Sequence, residues 1–345
     1  MTFYQNILFP ILIPLSWMYG LVIWVRNLLY DKGWIKSSNF NKPIISVGNI
    51  TTGGTGKTPL VIYLAELLKK NGMNPGIISR GYGRTSQGML LVHDGKKLLT
   101  DVESSGDEPY LMARVLENVP VVVCEDRSYG IQQLIDYYSV NVVIIDDGFQ
   151  HRKVKRDLDI ITISANDKRE DYRLLPWGKL REPLQNLKRA NAIIITKTNN
   201  FTPPNLHTEI QSIYKGSLYF STIVPILMKY DSTGYHKSLP PSEPLFGFCG
   251  IGEPDSFIDS IGKLELKLSG KRIFRDHQEY THTVITELSV QIKSSNCKAV
   301  ITTEKDLVKL PDNFLTEFNI YVIKIEIRFK DEGAVLDLIQ SVLRI

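Results

Sequence analysis

Lys57 and Thr58, which follow a run of glycines, have the residue types and spacing best suited to bind phosphate. They end the motif GNITTGGTGKT of residues 48–58, which lies between an apolar run and a segment with helical spacing. The glycines let backbone amides turn towards phosphate oxygens, the lysine can reach terminal phosphates, and the threonine hydroxyl can ligate Mg²⁺. The residues predicted to bind a nucleotide are Thr51, Thr52, Gly53, Gly54, Thr55, Gly56, Lys57 and Thr58.

The spacing of this motif departs from the common P-loop pattern at one position. The pattern G-x-x-x-x-G-K-[ST] requires glycine at position 51, where this chain has Thr51. The adjacent Gly53 and Gly54 match the G-G-x-G-K-T subclass instead. A glycine-rich turn with a chance Gly-Lys-Thr is the alternative, but the preceding strand and following helix favour a P-loop.

Two acids follow a second apolar strand, in the stretch VVIIDDGFQH of residues 142–151. P-loop proteins place a carboxylate at such a strand end, where it faces the Mg²⁺ ion beside the P-loop hydroxyl. A single acid there would be weak evidence, since turns often contain aspartate. With two acids and a P-loop in one chain, we predict a Mg²⁺ site formed by Thr58, Asp146 and Asp147.

Asp107 in SSGDEPY and His277 in FRDHQEY are candidates for proton transfer. A positioned carboxylate can accept the proton of an attacking hydroxyl, and an acid next to a histidine can orient and tune it. The alternative for Asp107 is an acid in the first turn of a helix, and a lone histidine can be structural. The local sequence leaves both alternatives open.

Strands alternate with helical segments from about residue 43 to residue 200, which predicts a parallel sheet with helices on both faces. A second α/β series follows a proline cluster at residues 239–244. We predict an N-terminal membrane-associated segment (1–36), a P-loop domain (37–215), a linker (216–244), a second α/β domain (245–330) and a C-terminal helix (331–345).

The composition excludes several classes of protein. With 43% hydrophobic and 23% charged residues in 345, the chain is expected to fold. Its three cysteines form no C-x-x-C pair, which argues against a zinc site or disulfide framework and favours a reducing compartment. Basic residues do not alternate with aromatic ones as in nucleic-acid binders, so we expect no nucleic-acid partner.

Residues 7–25 carry no charge and contain several aromatic residues. As a helix they would run about 28 Å, close to the ~30 Å hydrocarbon core of a bilayer. Arg26, Lys32 and Lys36 follow, which favours a cytoplasmic position for the rest of the chain. Pro10 and Pro14 are expected to bend such a helix. It could span the bilayer, lie in one leaflet, or be a buried core helix.

Residues 151–189 contain 11 Lys or Arg against six acids. This surplus is typical either of a solvated surface or of a surface that meets phosphates, on a substrate or on an anionic membrane leaflet.

Eight motifs, in order, resemble the tetraacyldisaccharide 4′-kinase family of lipid A biosynthesis. They are GNITTGGTGKTP, SRGYGR, GDEP, DDGFQH, LREPL, FCGIGEP, FRDHQEY and TTEKD, between residues 48 and 306. The resemblance implies a P-loop domain and a smaller α/β domain joined by a β-ribbon. It also implies transfer of the γ-phosphate of ATP to the 4′-hydroxyl of tetraacyldisaccharide 1-phosphate, an acylated glycolipid, at the cytoplasmic face of the bacterial inner membrane.

The resemblance also assigns residue roles. It places Lys57 and Thr58 at the phosphates and Mg²⁺, Asp146 and Asp147 at the metal, and Asp107 as the base, assisted by His277. The residues that it implies as substrate or nucleotide contacts are Arg80, Tyr82, Arg127, Gln150, His151, Arg181 and Glu182.

Three other functions share parts of this sequence pattern. Chromosome-partitioning ATPases carry a lysine directly before the paired glycines, where this chain has Thr52. Membrane-targeting GTPases use a T-K-x-D motif to bind guanine, but here Asn199 replaces the aspartate, which favours ATP. A membrane-anchored nucleotide sensor matches the spacing equally well, although it would have little use for Asp107 and His277.

Overall fold

The computed structural model describes residues 3–199 and 204–343. The helices of this part are α1 (Phe3–Asp31), α2 (Lys57–Lys70), α3 (Val102–Ser105), α4 (Asp107–Val115), α5 (Arg127–Tyr137), α6 (Pro204–Ile213), α7 (Pro254–Lys263), α8 (His282–Ser294), α9 (Glu304–Leu307), α10 (Asp312–Glu317) and α11 (Glu332–Leu343). Its strands are β1 (Ile44–Asn49), β2 (Pro75–Ser79), β3 (Leu90–Asp94), β4 (Pro120–Val123), β5 (Val142–Asp146), β6 (Leu158–Ser164), β7 (Ala192–Thr196), β8 (Ser217–Asp231), β9 (Gly234–Lys237), β10 (Leu245–Cys249), β11 (Leu268–Ile273), β12 (Ala299–Thr303) and β13 (Asn319–Phe329).

These strands form one continuous sheet in the order β11-β10-β12-β13-β8-β7-β6-β1-β5-β2-β4-β3, with β9 paired to β8. Strand β1 lies between β5 and β6 and is parallel to both. All residues of β1 and β5 are buried, as expected for strands covered by helices on both faces. The carboxyl ends of these strands meet at one sheet edge, so the P-loop after β1 lies beside the two acids at the end of β5.

Strand β8 connects the two parts of the molecule. Its first residues pair in parallel with β7, and its later residues pair antiparallel with β13. Together with β9 it makes the β-ribbon of the segment predicted as a linker. The first part, which carries the P-loop, and the second part, which contains β10 to β12, therefore share one sheet. The fold class is confirmed, with a mixed rather than wholly parallel sheet.

Two elements differ from the sequence expectation. The edge strand β3 was not predicted, and it pairs antiparallel with β4. The C-terminal helix α11 packs back on the P-loop part, because Val335 and Ile339 share a core cluster with Leu64 and Leu68 of α2. The predicted segment boundaries remain a prediction, and residues 1–2 and 344–345 of the outer segments lie outside the described residues.

Helix α1 is attached to the first part along one side only. Ser16 Oγ donates to the Leu174 carbonyl at 2.9 Å, and Tyr19 Oη donates to the Arg181 carbonyl at 2.8 Å. The other side exposes large apolar residues, namely Leu15, Trp17, Met18, Leu21, Val22, Trp24 and Val25. Leu12–Asp31 is long and apolar enough to cross a membrane, with a mean hydropathy of 1.4. The span of α1 continues through both prolines.

Candidate active site

The P-loop is fixed to the sheet at several points. Gly53 and Gly56 have φ angles of 116° and 80°, a region that side chains rarely adopt. Thr55 Oγ1 lies 2.7 Å from Thr162 Oγ1 on β6, and the amide of Thr52 donates to the Lys179 carbonyl at 2.8 Å. Helix α2 begins directly at Lys57. The loop is thus held open at a helix N-terminus, where free amides favour bound anions.

The two adjacent acids at the end of β5, Asp146 in the strand and Asp147 after it, have opposite surroundings. Asp147 accepts two contacts from Arg181 Nη1, at 2.9 and 2.8 Å, and lies 3.6 Å from Lys57 Nζ. Burial alone would raise its pKa, but Lys57 and Arg181 together hold that pKa below its ordinary value. Asp146 forms no ion pair with a described residue, although the charge of Lys57 acts to lower its pKa. Burial, followed by the charges of Glu108 and Asp147, raises the pKa of Asp146 to about 7.

The surroundings of Asp146 fit a Mg²⁺ ion. Ser79 Oγ donates to Oδ2 of this buried side chain at 2.8 Å, whereas Oδ1 is buried and has no hydrogen-bond partner among the described residues. Mg²⁺ in phosphoryl-transfer sites is held by one or two carboxylates and by substrate phosphates. The described ranges contain no group of three acidic, histidine or cysteine side chains that could hold a metal by themselves. Asp146 and Thr58 are the residues that could hold the ion.

Asp107 and His277 are 170 residues apart in sequence and come together across the boundary of the two parts. His277 Nδ1 lies 3.1 Å from Asp107 Oδ2, the geometry of a hydrogen bond donated by the ring. Lys309 Nζ approaches the same oxygen at 3.4 Å. Burial would raise the pKa of Asp107, but His277, Lys309 and Lys305 outweigh it and lower that pKa. The carboxylate is therefore ionised at neutral pH.

Most of the predicted substrate contacts lie around these groups. Besides binding Asp147, Arg181 approaches Gln150 Oε1 at 3.4 Å, and Gln150 Nε2 donates to the Asn49 carbonyl at 2.8 Å. The Tyr82 ring, with 76% of the residue exposed, has its centre 6.0 Å from that of His277.

Arg127 and His151 carry unpaired buried nitrogens in the same region. Arg127 is buried, and its Nε has no partner among the described residues. Burial and the nearby charge of Arg80 lower the pKa of Arg127, while Asp146 and Asp147 raise it. The Nε2 of His151 is also buried without a partner within the described ranges, and burial together with Arg127 lowers its pKa to about 4. Unpaired cationic and polar groups at this edge of the sheet are suited to an anionic ligand.

Glu182 lies apart from this group. Its carboxylate is fully buried and accepts from Arg26 Nη2 at 2.8 Å and from Arg189 Nη2 at 2.7 Å. Asn27 and Asn186 of the surrounding structure also donate to it. The contacts from Arg26 and Asn27 tie α1 to the first part of the chain, and those from Arg189 and Asn186 lie within that part. A substrate contact by Glu182 stays a prediction.

The basic segment at residues 151–189 is partly neutralised within the fold. Six of its 11 cations form ion pairs with carboxylates, namely Arg152, Lys153, Arg156, Lys179, Arg181 and Arg189. Its charge surplus therefore overstates the free positive charge at the surface.

Three residues at the site were not predicted from the sequence, namely Lys197, Glu253 and Lys309. Lys197 Nζ donates to the Gly54 carbonyl of the P-loop at 2.6 Å and pairs with Glu253 of the second part. Lys309, beside Asp107, is the third. Glu253 is in the FCGIGEP motif, and Lys309 follows TTEKD by three residues, so these motifs were the available signal.

Fold and site together define a P-loop kinase. The family model described as Tetraacyldisaccharide-1-P 4′-kinase matches residues 8–344 of the chain. The chain therefore belongs to the tetraacyldisaccharide-1-P 4′-kinase family, which confirms the resemblance found in the sequence.

Individual relatives agree with this assignment. The tetraacyldisaccharide 4′-kinase of Desulfotalea psychrophila is 38% identical over 325 residues, which cover 92% of each chain. That of Aquifex aeolicus is 35% identical and covers 96% of this chain and 98% of its own. A crystal structure of the "apo" form of LpxK from Aquifex aeolicus in complex with ATP matches with a TM-score of 0.81 at 33% identity, over 99% of both chains.

Proposed function

We propose that this chain transfers the γ-phosphate of ATP to the 4′-hydroxyl of tetraacyldisaccharide 1-phosphate, forming lipid IVA in lipid A biosynthesis. The observation that carries the proposal is the 3.1 Å contact between Asp107 and His277. It joins a carboxylate of the P-loop part to a histidine of the second part, which gives a base for the acceptor hydroxyl. Neither a partitioning ATPase nor a nucleotide sensor requires this pair.

In the proposed mechanism, Asp107 accepts the proton of the 4′-hydroxyl. The 4′ oxygen forms a bond to the γ-phosphorus, the bond from that phosphorus to the β–γ bridging oxygen breaks, and ADP leaves. His277 donates its Nδ1–H to Asp107 and orients the carboxylate. A low pKa makes Asp107 a weak base. This suffices because phosphoryl transfer has a loose transition state, in which positioning and charge stabilisation dominate.

The phosphate groups are held by the chain's own cations and amides. Lys57 reaches the terminal phosphates from the start of α2, while Arg127, Arg181 and Arg80 supply further positive charge around them. Mg²⁺, held by Thr58 and Asp146, supplies neutralisation of the phosphate charge when it is bound. Since Asp147 is already paired with Arg181 and Lys57, its role is to position these two cations.

We propose that α1 lies in the cytoplasmic leaflet of the inner membrane and does not span it. Hydrogen bonds and ion pairs fasten one side of the helix to the protein, so lipid cannot surround it. Its opposite side exposes Trp17, Leu21 and Trp24, which can enter the acyl region. This placement would bring a membrane-embedded glycolipid to the P-loop part.

Transfer of labelled γ-phosphate to tetraacyldisaccharide 1-phosphate in detergent tests the proposal. Wild type should label the lipid, and Lys57→Ala should abolish labelling. Asp107→Ala should lower kcat by roughly 10²–10⁴, the usual contribution of a general base, and His277→Ala should lower it less. Glu103→Ala, an exposed acid on the neighbouring α3, is the matched control and should behave as wild type.

Two outcomes contradict the proposal at different levels. If wild type labels no lipid, the substrate is wrong. If Asp107→Ala keeps near-normal turnover while Lys57→Ala is inactive, the chain is a kinase but the base has been assigned wrongly.

A further inference from the structure

A buried carboxylate organises the second part next to the active site. Asp306 is fully buried and accepts from the Gly250 amide at 3.0 Å, from Tyr280 Oη at 2.9 Å and from Thr303 Oγ1 at 2.7 Å. The three donors belong to the FCGIGEP, FRDHQEY and TTEKD motifs. A single side chain thus fixes the three segments of the second part that carry site residues.

Lys309 is held by this network and points out of it towards Asp107. Its Nζ lies 3.7 Å from Asp306 Oδ1 and 3.4 Å from Asp107 Oδ2, and 5.6 Å from the centre of the Tyr280 ring. Only 8% of its side chain is exposed, against 39% for His277. A charge this buried is stable only when paired, and its partners lie on both parts of the chain.

The two contacts to Asp107 leave one of its oxygens open. His277 Nδ1 and Lys309 Nζ both approach Oδ2. Within the described ranges no donor is in hydrogen-bond contact with Oδ1 of the side chain. The carboxylate is therefore held at one oxygen, and the other is available to an incoming hydroxyl.

We propose that Lys309 is a positioning residue for phosphoryl transfer, which anchors Oδ2 of Asp107 when the two parts of the chain are in contact. This inference rests on the proposed function, since it assigns Lys309 a role in the reaction of Asp107. In this role Lys309 acts through Asp107 and not on the reacting groups.

The charges around Asp107 determine the sign of the expected pH effect. His277, Lys309 and Lys305 face it from the second part, Asp276 lies behind His277, Asp306 lies behind Lys309, and Glu108 follows it on α4. The three basic groups lower the pKa of Asp107. Loss of the Lys309 charge must raise that pKa, so the acidic limb of the kcat/KM profile must move to higher pH.

Lys309→Met, which removes the charge and keeps an unbranched chain, tests the inference in the full-length enzyme. We expect kcat to fall by roughly tenfold to a hundredfold, as for the loss of one charged hydrogen bond of about 1.5–3 kcal/mol. KM for ATP should stay near the wild-type value, and the acidic limb of the kcat/KM profile should move to higher pH. Lys309→Arg should restore part of kcat and reverse the shift. Lys298→Met, an exposed lysine of the second part, is the control.

A second readout does not depend on catalysis. Carbon NMR of ¹³C-labelled aspartate, with the Asp107 signal assigned by its loss in Asp107→Asn, should give a higher pKa for Asp107 in Lys309→Met than in wild type. An unchanged Asp107 pKa and unchanged kcat would overturn the inference. So would a loss of activity with no shift of the limb and no rescue by arginine, because that pattern indicates a structural role. Failure of wild type to label the lipid, with the NMR shift present, would overturn only the proposed function.

Discussion

Asp146 and Asp147 are adjacent in sequence, but a change in backbone conformation between them gives their carboxylates different partners. The left-handed conformation of Asp147, with a φ of 52°, turns its side chain to Arg181 and Lys57. Asp146 stays in the strand, with one donor and one unpartnered oxygen. Two carboxylates with opposed pKa shifts commonly take separate roles in a site. Here Asp146 is suited to hold Mg²⁺, and Asp147 is suited to pair with Arg181.

We therefore predict that Asp146→Asn and Asp147→Asn differ in kind. Asp146→Asn should raise the Mg²⁺ concentration for half-maximal activity by about tenfold to a hundredfold, the usual effect of a disturbed metal site. Asp147→Asn should instead raise KM for ATP, because Arg181 and Lys57 lose their fixed positions. Activity measured against Mg²⁺ at saturating ATP, and against ATP at saturating Mg²⁺, separates the two. If both variants show the same dependence on Mg²⁺ and on ATP, the two acids do not have separate roles.

The sequence predicted this acid pair but not the different partners of its two members. The spacing from an apolar strand locates both residues, and it assigned both to the metal. Which acid meets Arg181 depends on a single φ angle and on a residue 34 positions later. Periodicity and motif spacing carry no information on either. Motif spacing likewise could not indicate the ion pair of Glu182 with Arg26, which is 156 residues away.

At the scale of elements, the turn after β7 connects the second part to the P-loop. Lys197 adopts a left-handed conformation with a φ of 61°, and its ammonium group lies between the Gly54 carbonyl and Glu253, the residue that precedes α7. The Asp107–His277 contact is a further link between the two parts. Loss of the Glu253 contact should therefore loosen the second part over the P-loop.

Glu253→Gln should lower kcat for lipid phosphorylation by roughly threefold to tenfold, as expected for a partly exposed ion pair of about 1 kcal/mol. It should also increase the ADP formed per lipid phosphorylated, because a looser site admits water. Both products can be measured in one reaction. Asp255→Asn, an exposed acid in the first turn of α7, should leave the ratio unchanged. A Glu253→Gln enzyme with the wild-type ratio would show that the contact does not exclude water.

The element order was largely predictable, since β1, β5, β6 and β7 are short apolar runs. The edge strand β3 was not, because its LLVHD sequence contains two polar residues and gains stability only by pairing with β4. The joining of both parts into one sheet through β8 also depends on long-range pairing. The sequence indicated only extended segments there.

At the scale of the whole molecule, buried charges connect α1 to the active site. Glu182 binds both Arg26 of α1 and Arg189, and the adjacent Arg181 binds Asp147 at the P-loop edge. The helix is therefore rigidly oriented relative to the nucleotide site, with its apolar side outward. Segment length and hydropathy predict membrane association, but the free side of the helix is shown only by its contacts in the fold, those of Ser16, Tyr19 and Arg26.

Leu21→Glu combined with Trp24→Glu places two charges on the free side of α1 without touching its attachment. Since burial of each large apolar side chain contributes about 1.5–3 kcal/mol, binding to phosphatidylethanolamine–phosphatidylglycerol vesicles should weaken at least tenfold in a sedimentation assay. Activity on detergent-dispersed acceptor should stay within about threefold of wild type, because the site is unchanged. Val290→Glu, which adds a charge at an exposed apolar position of α8, is the control and should bind vesicles normally. If the double variant binds as tightly as wild type, another surface contacts the membrane. If it loses activity in detergent as well, the free side of α1 also holds the acyl chains of the substrate.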